Sequence, residues 1–281
     1  MRLTYKLLFA LQLSVVLLCF QSSSASAKAK HKNRTRSIYF SWGYNEEWYT
    51  KSTVHVKQNA LGNDFDMVHV DGHNHKGWDH NFFHEQLTIP QYNYRLGMFI
   101  NKKQDLGIEI NFDHTKYIIA DGQQIHVTGK INNEPATGTI NFSEKNGFYY
   151  FLNNGANFFL INIVKRVALY HTHDNSLHID LLGKAGIGPV VPHVQNSFFG
   201  QANDPHFQFG GWDMGAETAL RATIMRYAYL EFAQKIDYAR YSNLKIYDGT
   251  ARQNFGCYEL ILSLGITIPT TKHNPLFVTK Y

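Results

Sequence analysis

A histidine stands between an acid and a hydroxyl at Asp113-His114-Thr115. A hydroxyl becomes a nucleophile when a nearby histidine accepts its proton, and an acidic residue often orients that histidine. Asp113, His114 and Thr115 are therefore the first candidate catalytic residues. Adjacent residues of a strand point to opposite faces, so an extended backbone would separate His114 from Thr115.

A second group of the same types lies in His171-Thr-His173-Asp-Asn-Ser176. It contains a base, an acid and a hydroxyl within six residues. We expect a short turn here between two strands, at the end of the fold away from the long connections. That position disfavours action on lipids of an outer leaflet.

Four histidines lie close together in one long connection: His73, His75, His80 and His84. Imidazole nitrogens are common ligands of zinc and other transition metals, and the spacings His73-Asn-His75 and His80-Asn-Phe-Phe-His84 are compatible with shared coordination. Two interpretations stay open. The connection holds a metal ion, or it is a polar loop whose histidines stack on neighbouring aromatic rings.

Charged residues of both signs alternate with apolar residues over much of the chain. If they face a narrow interior they must pair with one another, because a buried unpaired charge is unstable. A salt-bridge network that fills the interior is the first interpretation, and proton or ion passage is the second. The predicted interior residues are Arg95, Glu109, His178, Asp180, Lys184, Glu217, Arg221, Glu231, Lys235, Asp237 and Glu259.

Long alternating runs would position these side chains. In Leu106–Thr115, Tyr227–Ala239 and Tyr258–Ile268, apolar residues recur mainly at every second position, which is the period of a strand. Runs of this length exceed the usual strand of a soluble protein and suit a tilted membrane crossing of about 9–11 residues. The pattern defines two faces but does not decide which face is inside.

Short and long connections alternate along the chain. Short turns are expected near 101–105, 173–176 and 226. With Ser37–Val56 as the first strand and Gly256–Ile268 as the last, the strands number about eight, and an even number places both termini on one side. Long connections are predicted at about 58–89, 120–155, 191–206 and 243–254.

Four stretches resemble small bacterial outer-membrane β-barrel proteins of the eight-stranded type. The resemblance covers about residues 37–268 and implies an all-β fold, an antiparallel up-and-down transmembrane β-barrel. One departure is a tail, Pro269–Tyr281, where such barrels often end on an aromatic-terminated strand. The stretches are Leu106-Gly-Ile-Glu-Ile-Asn-Phe, Gly183-Lys-Ala-Gly-Ile-Gly-Pro, Gly215-Ala-Glu and Tyr229-Leu-Glu-Phe-Ala.

The resemblance leaves three functions open. The first is a non-catalytic outer-membrane protein that serves envelope structure or binds a surface ligand through its long outer loops. The second is a lipid A acyl hydrolase, since outer-membrane lipid A deacylases are also eight-stranded barrels with a His/Ser pair on a strand. The third is a soluble periplasmic barrel that binds an apolar ligand.

The ends of the chain predict export. Arg2 and Lys6 precede an apolar run, Leu7–Phe20, and the small residues Ala25-Ser-Ala27 follow it. This order is the pattern of a signal peptide over residues 1–27. A basic arm follows at 28–36, then the barrel at 37–268 and a tail at 269–281. After cleavage Cys257 is the remaining cysteine, so no intramolecular disulfide is expected.

Composition supports a folded, membrane-associated chain. Of 281 residues, 17% are charged and 15% aromatic, which argues against disorder. The mean hydropathy is negative, which excludes a polytopic helical membrane protein. The net charge of +5 owes much to the basic arm, and no nucleic-acid-binding motif accompanies it. We therefore expect the cell outer membrane as location, its lipid as partner, and no cofactor or nucleic acid.

Overall fold

The computed structural model describes residues 14, 18–19, 37–74, 91–101, 103–174, 176–225 and 227–270. No helix in this part of the chain is long and apolar enough to cross a membrane. Its strands are β1 (Ser37–Tyr49), β2 (Ser52–Gln58), β3 (Asn63–Val70), β4 (Gly72–His73), β5 (Tyr92–Phe99), β6 (Leu106–Asp113), β7 (Ile118–Ile119), β8 (Gln124–Ile131), β9 (Glu134–Asn141), β10 (Tyr149–Phe151), β11 (Phe158–His171), β12 (Leu177–Pro189), β13 (His193–Phe198), β14 (Gln201–Ala202), β15 (His206–Phe207), β16 (Gly211–Ile224), β17 (Ala228–Ile246) and β18 (Gly249–Pro269). A single 3-10 turn in the described residues, η1, spans Asn59–Leu61.

Eight strands close into a ring. They pair antiparallel in the order β1, β5, β6, β11, β12, β16, β17 and β18, and β18 pairs back onto β1 from Ser37↔Pro269 to Tyr49↔Cys257. Closure leaves the ring with no free edge, so its backbone groups are satisfied without water. The predicted antiparallel barrel of about eight strands is confirmed. The first residue of β1, Ser37, and the last residue of β18, Pro269, lie at the end with the short turns.

The apolar face of the ring points outward. On β18, Leu262, Leu264 and Ile266 are exposed, whereas Glu259 and Ser263, at alternate positions, are buried. Leu264 is 64% exposed and Glu259 is 0% exposed. A soluble barrel has the opposite polarity, because it buries its apolar face. The ring is therefore organised as a transmembrane outer-membrane β-barrel, with an apolar surface for lipid and a polar interior.

Aromatic side chains border this apolar surface at the end opposite the short turns. The ring of Phe112 lies between those of Tyr94 and Phe159, with centroids 6.2 and 4.6 Å away, and Trp212 lies 5.8 Å from Tyr238. Such rings are enriched where a bilayer meets water. We call this the aromatic border.

The long connections fold into a second β structure above the aromatic border. The outer part of β18 pairs with β2 from Gln253↔Val54 to Thr250↔Lys57, and β3, β8 and β9 continue the sheet. The strands β10, β13, β14 and β15 form a smaller sheet beside it. We call residues 50–74, 114–157 and 190–210, with the outer ends of β17 and β18, the cap. The long connections expected here contain these strands, and a first strand running to Val56 was wrong because β1 ends at Tyr49, where the chain turns.

One apolar core joins the cap to the barrel mouth. The aromatic stretch at 148–152 belongs to this core. A stretch that packs between two sheets and one that faces lipid are equally apolar, so composition does not separate them. Core members include Val54, Phe65, Met67, Tyr117, Val127, Phe148, Tyr150, Leu152, Phe198, Tyr241 and Phe255.

Two tyrosines near the short-turn end cross the interior over glycines. Tyr39 is paired with Gly97 on β5, and Tyr229 is paired with Gly265 on β18. A Cβ added to either glycine would lie 2.1 Å from the ring carbon Cζ of its tyrosine. A narrow barrel holds large interior side chains only where neighbouring strands leave such gaps.

We expect Gly97→Ala to destabilise the barrel by about 1–3 kcal/mol, because its methyl group would displace the buried Tyr39 ring. The measurement is the free energy of unfolding in urea for the chain folded into lipid vesicles. Gly138→Ala on β9 is the matched control, since a Cβ there meets nothing within 4 Å. Equal stability of the two variants would contradict the packing described here.

Candidate functional site

The middle of the barrel interior holds a cluster of buried ion pairs around Lys184. Its Nζ lies 3.1 Å from Glu109, 2.8 Å from Glu217 and 2.8 Å from Glu231. All four side chains are at most 3% exposed. They come from β12, β6, β16 and β17, so one ammonium connects four strands of the ring across its interior.

A second cluster lies nearer the cap and is built on Asp113. Its carboxylate oxygens lie 2.6 Å from Arg95 Nη1 and 2.7 Å from Lys235 Nζ. Lys235 also lies 2.8 Å from Asp237 and 3.4 Å from Glu259. Each ion-pair partner of Lys235 is a carboxylate from a facing or neighbouring position, as pairing of buried charges requires.

Arg221 closes the interior toward the short-turn end. Its guanidinium carbon lies 4.4 Å from the ring centre of Tyr39 and 4.1 Å from that of Tyr229, and its Nε donates to Glu231 at 2.6 Å. Planar guanidinium groups favour such stacking on aromatic faces. The two tyrosines that cross over glycines thus hold the arginine between them.

The structure joins most of the predicted interior residues. Arg95, Glu109, Lys184, Glu217, Arg221, Glu231, Lys235, Asp237 and Glu259 form one connected set with Asp113. Asp180 lies apart, 3.9 Å from Arg166. His178 lies near the turn, with its ring 5.8 Å from that of His171.

Sequence reasoning missed Glu47 and its two amide partners. The side-chain nitrogens of Asn45 and Gln91 donate to Glu47 at 2.5 and 2.6 Å, and Asn45 also donates to Glu259 at 3.1 Å. The signal was present, because Glu47 continues the inward alternation of β1 from Tyr39.

The residues predicted as catalytic do not come together. Asp113 points into the interior, whereas His114 places Nδ1 2.8 Å from Asn157 Oδ1 and stacks on Tyr92 with centroids 4.6 Å apart. Burial lowers the pKa of His114. Thr115 is buried, and within the described residues its hydroxyl has no hydrogen-bond partner. The Thr115 hydroxyl therefore makes no hydrogen bond to His114, its proposed base.

The second group is a hydrogen-bonded turn. The Ser176 hydroxyl donates to Asp174 at 2.9 Å, and the Ser176 backbone N–H donates to the same oxygen at 3.1 Å. Hydrogen bonds from Thr172 and Ser176 lower the pKa of Asp174 to about 2. The hydroxyl therefore stabilises the turn, and its partner is the carboxylate rather than a histidine.

The predicted metal ligands divide between two parts of the chain. His75, His80 and His84 lie outside the described residues, so their prediction stays a prediction. His73 is exposed on β4, with Nδ1 2.6 Å from the Asn74 carbonyl oxygen. Over the described ranges, no group of three or more His, Cys, Asp or Glu side chains is arranged to hold a metal ion.

We expect Lys184→Met to destabilise the barrel by about 3–5 kcal/mol, because it leaves three buried carboxylates without their shared cation. The urea unfolding free energy of the chain folded into vesicles measures the effect. Lys130→Gln, an exposed lysine of the cap, is the control and should change stability by about 0.5 kcal/mol or less. A small effect of Lys184→Met would show that the network contributes little to stability.

No protein-family model and no curated protein sequence matches the chain. Solved structures similar to it include Ail, the attachment invasion locus protein of Yersinia pestis, at 12% identity over 84% of this chain and 100% of that chain, with a TM-score of 0.33. The outer membrane protein OprG from Pseudomonas aeruginosa covers 84% of this chain and 97% of its own, at 9% identity and a TM-score of 0.29. The outer membrane protease OmpT from Escherichia coli covers 87% and 100%, at 10% identity and a TM-score of 0.34. The eight-stranded ring and its outward apolar face stand on this chain's own strand pairing and burial.

Proposed function

We propose that this protein is a non-catalytic outer-membrane barrel that presents its folded cap at the cell surface as a binding platform. The observation that carries the proposal is the single apolar core that continues from the barrel mouth into the cap. A core of this kind makes the cap a rigid extension of the barrel wall. Surfaces built on a rigid scaffold are where binding residues concentrate.

Hydrogen bonds from barrel strands to the cap support this rigidity. The Tyr241 hydroxyl on β17 donates to the Ala156 carbonyl oxygen at 2.8 Å, and the Tyr49 hydroxyl on β1 donates to the Lys116 carbonyl oxygen at 2.8 Å. Both tyrosines are buried in the shared core. The cap is thus attached to two ring strands, β1 and β17, both of which pair with β18.

The filled interior argues against a pore. An eight-stranded barrel has room for side chains but little else. Here the ion-pair clusters occupy the middle, Arg221 and its tyrosines occupy the short-turn end, and the apolar core covers the other end. Ion passage, the second interpretation of the interior charges, would need all three layers to open.

One part of the cap offers an accessible surface. The hairpin of β8 and β9 turns at Asn132 and Asn133, which have φ of 53° and 67°, as a two-residue turn between twisted strands requires. Strand β9 is paired on one side and exposed along most of its length. Its side chains are therefore available to a surface ligand.

Cysteine labelling tests the orientation. In intact cells a membrane-impermeant maleimide should label Thr137→Cys on β9, whereas His173→Cys in the short turn should be labelled after the outer membrane is permeabilised. Native Cys257 is 3% exposed and should give little background. Labelling of His173→Cys in intact cells, with Thr137→Cys protected, would contradict the proposed surface position of the cap.

Conductance tests the closed interior. The purified chain inserted into a planar lipid bilayer should give no stepwise current above that of the bare bilayer, because the three layers of interior side chains block the path. An open porin inserted under the same conditions is the positive control. Stable current steps from the wild-type chain would instead favour ion passage.

A further inference from the structure

The outward face of β17 and β18 changes chemistry at the aromatic border. Apolar side chains face outward below Tyr238 and Tyr258. Above them the same faces carry Arg240 and Lys245 on β17 and Arg252 on β18, and all three cations are exposed. Both strands continue from the barrel into the cap, with an irregularity in β17 between Tyr241 and Leu244, so the three cations project from one continuous wall.

Strand pairing places these cations near one another. Arg240 is paired with Asn254, and Arg252 lies two residues before Asn254 on β18, toward the cap. Lys245 is paired with Thr250. With about 3.3 Å per residue and about 4.8 Å between strands, the three Cα atoms lie within about 15 Å. We call Arg240, Lys245 and Arg252 the basic patch.

The outward positions of β17 and β18 around the basic patch carry no acid, because the acids of these strands face the interior. Arg240 and Lys245 are paired with Asn254 and Thr250, whose amide and hydroxyl are further hydrogen-bonding groups for an anion, and Arg252 is paired with His55 of β2. Within the described residues none of the three cations forms a salt bridge, whereas the cap lysine Lys51 pairs with Asp71 at 3.2 Å. An accessible arginine with no carboxylate partner is free to bind phosphate through its planar fork of N–H donors.

An exposed aromatic ring stands beside the patch. Phe209 is 81% exposed, and the next residue, Gly210, accepts a hydrogen bond from the Ser242 backbone N–H at 2.7 Å. Because Ser242 lies two residues after Arg240, this bond places Phe209 next to the part of β17 that carries the patch. An exposed phenylalanine beside cations is the pattern of a segment in the membrane–water interface, where rings enter the acyl boundary and cations meet headgroups.

We infer that the basic patch binds the phosphate groups of lipid A in the leaflet that surrounds the barrel. The inference rests on the outer-membrane position given under the proposed function. The headgroup layer of a bilayer extends about 5–7 Å beyond its hydrocarbon core, which is where Arg240 lies, two residues above Tyr238 at the aromatic border. Arg252 and Lys245 stand higher on the wall and extend the patch away from the hydrocarbon.

The test compares two lipids and two matched variants. The full chain, folded in non-ionic detergent, is titrated with lipid A that carries both phosphates and with lipid A from which both have been removed. The variant R240Q/K245Q/R252Q should bind the phosphorylated lipid about tenfold or more weakly than the wild type. The variant K51Q/K130Q/K145Q removes three exposed cap lysines elsewhere and should bind like the wild type.

Three results would overturn the inference. They are equal binding by the R240Q/K245Q/R252Q variant, equal binding of the dephosphorylated lipid, and full displacement of lipid A by inorganic phosphate at the same phosphate concentration. Far-UV circular dichroism and the heat-dependent shift in gel mobility verify that each variant is folded. Failure of the proposed function would show separately, as cap cysteines that stay unlabelled in intact cells although lipid A binds in detergent.

Discussion

The ammonium of Lys184, in contact with three carboxylates from three other strands, is the interaction on which the interior depends. A ring of eight strands that faces lipid must bury its polar side chains, and it tolerates buried charges when each has a partner. The carboxylates of Lys184 are shared with Arg95 and Arg221, and Asp113 links Arg95 to Lys235. Removing one member therefore leaves several groups unpaired. Because the paired residues come from β5, β6, β12, β16 and β17, the network also connects strands that are not neighbours in the sheet.

The same inside-out polarity explains why the barrel carries a folded cap. At the outer end of the ring the interior changes from charged to apolar, as Tyr49, Tyr241 and Phe255 replace the acids and lysines. An apolar barrel mouth exposed to water would be unstable, and the apolar faces of β2, β3 and β8 cover it. Burial raises the pKa of Tyr117 and Tyr150 within this cap. The cap thus buries its apolar side chains, as a soluble protein does, whereas the barrel turns its apolar side chains outward.

Periodicity predicted the barrel well because it is a local property. The runs at Leu106–Thr115 and Tyr258–Ile268 became β6 and much of β18, and the interior residues named from alternation largely lie inside. The cap was not predicted, because its strands are short and its sheet depends on distant pairings, of β2 with β18 and of β3 with β8. The candidate group Asp113, His114 and Thr115 failed for a related reason. Spacing says which side chains share a face, but contacts such as His114 to Asn157 and Asp113 to Lys235 depend on distant segments.

By itself the sequence determined which residues alternate, how many long strands they form and which side chains share a face. These follow from the two-residue repeat of an extended chain, which needs no partner. The tertiary structure decided that the apolar face points outward, which charges pair, and that the long connections close over the mouth. Those outcomes depend on ring closure and on contacts between residues far apart in the chain, as when Asp113 meets Lys235. The fold separates His114 from the hydroxyl of Thr115, and it brings Arg240 and Arg252 together on one outward surface.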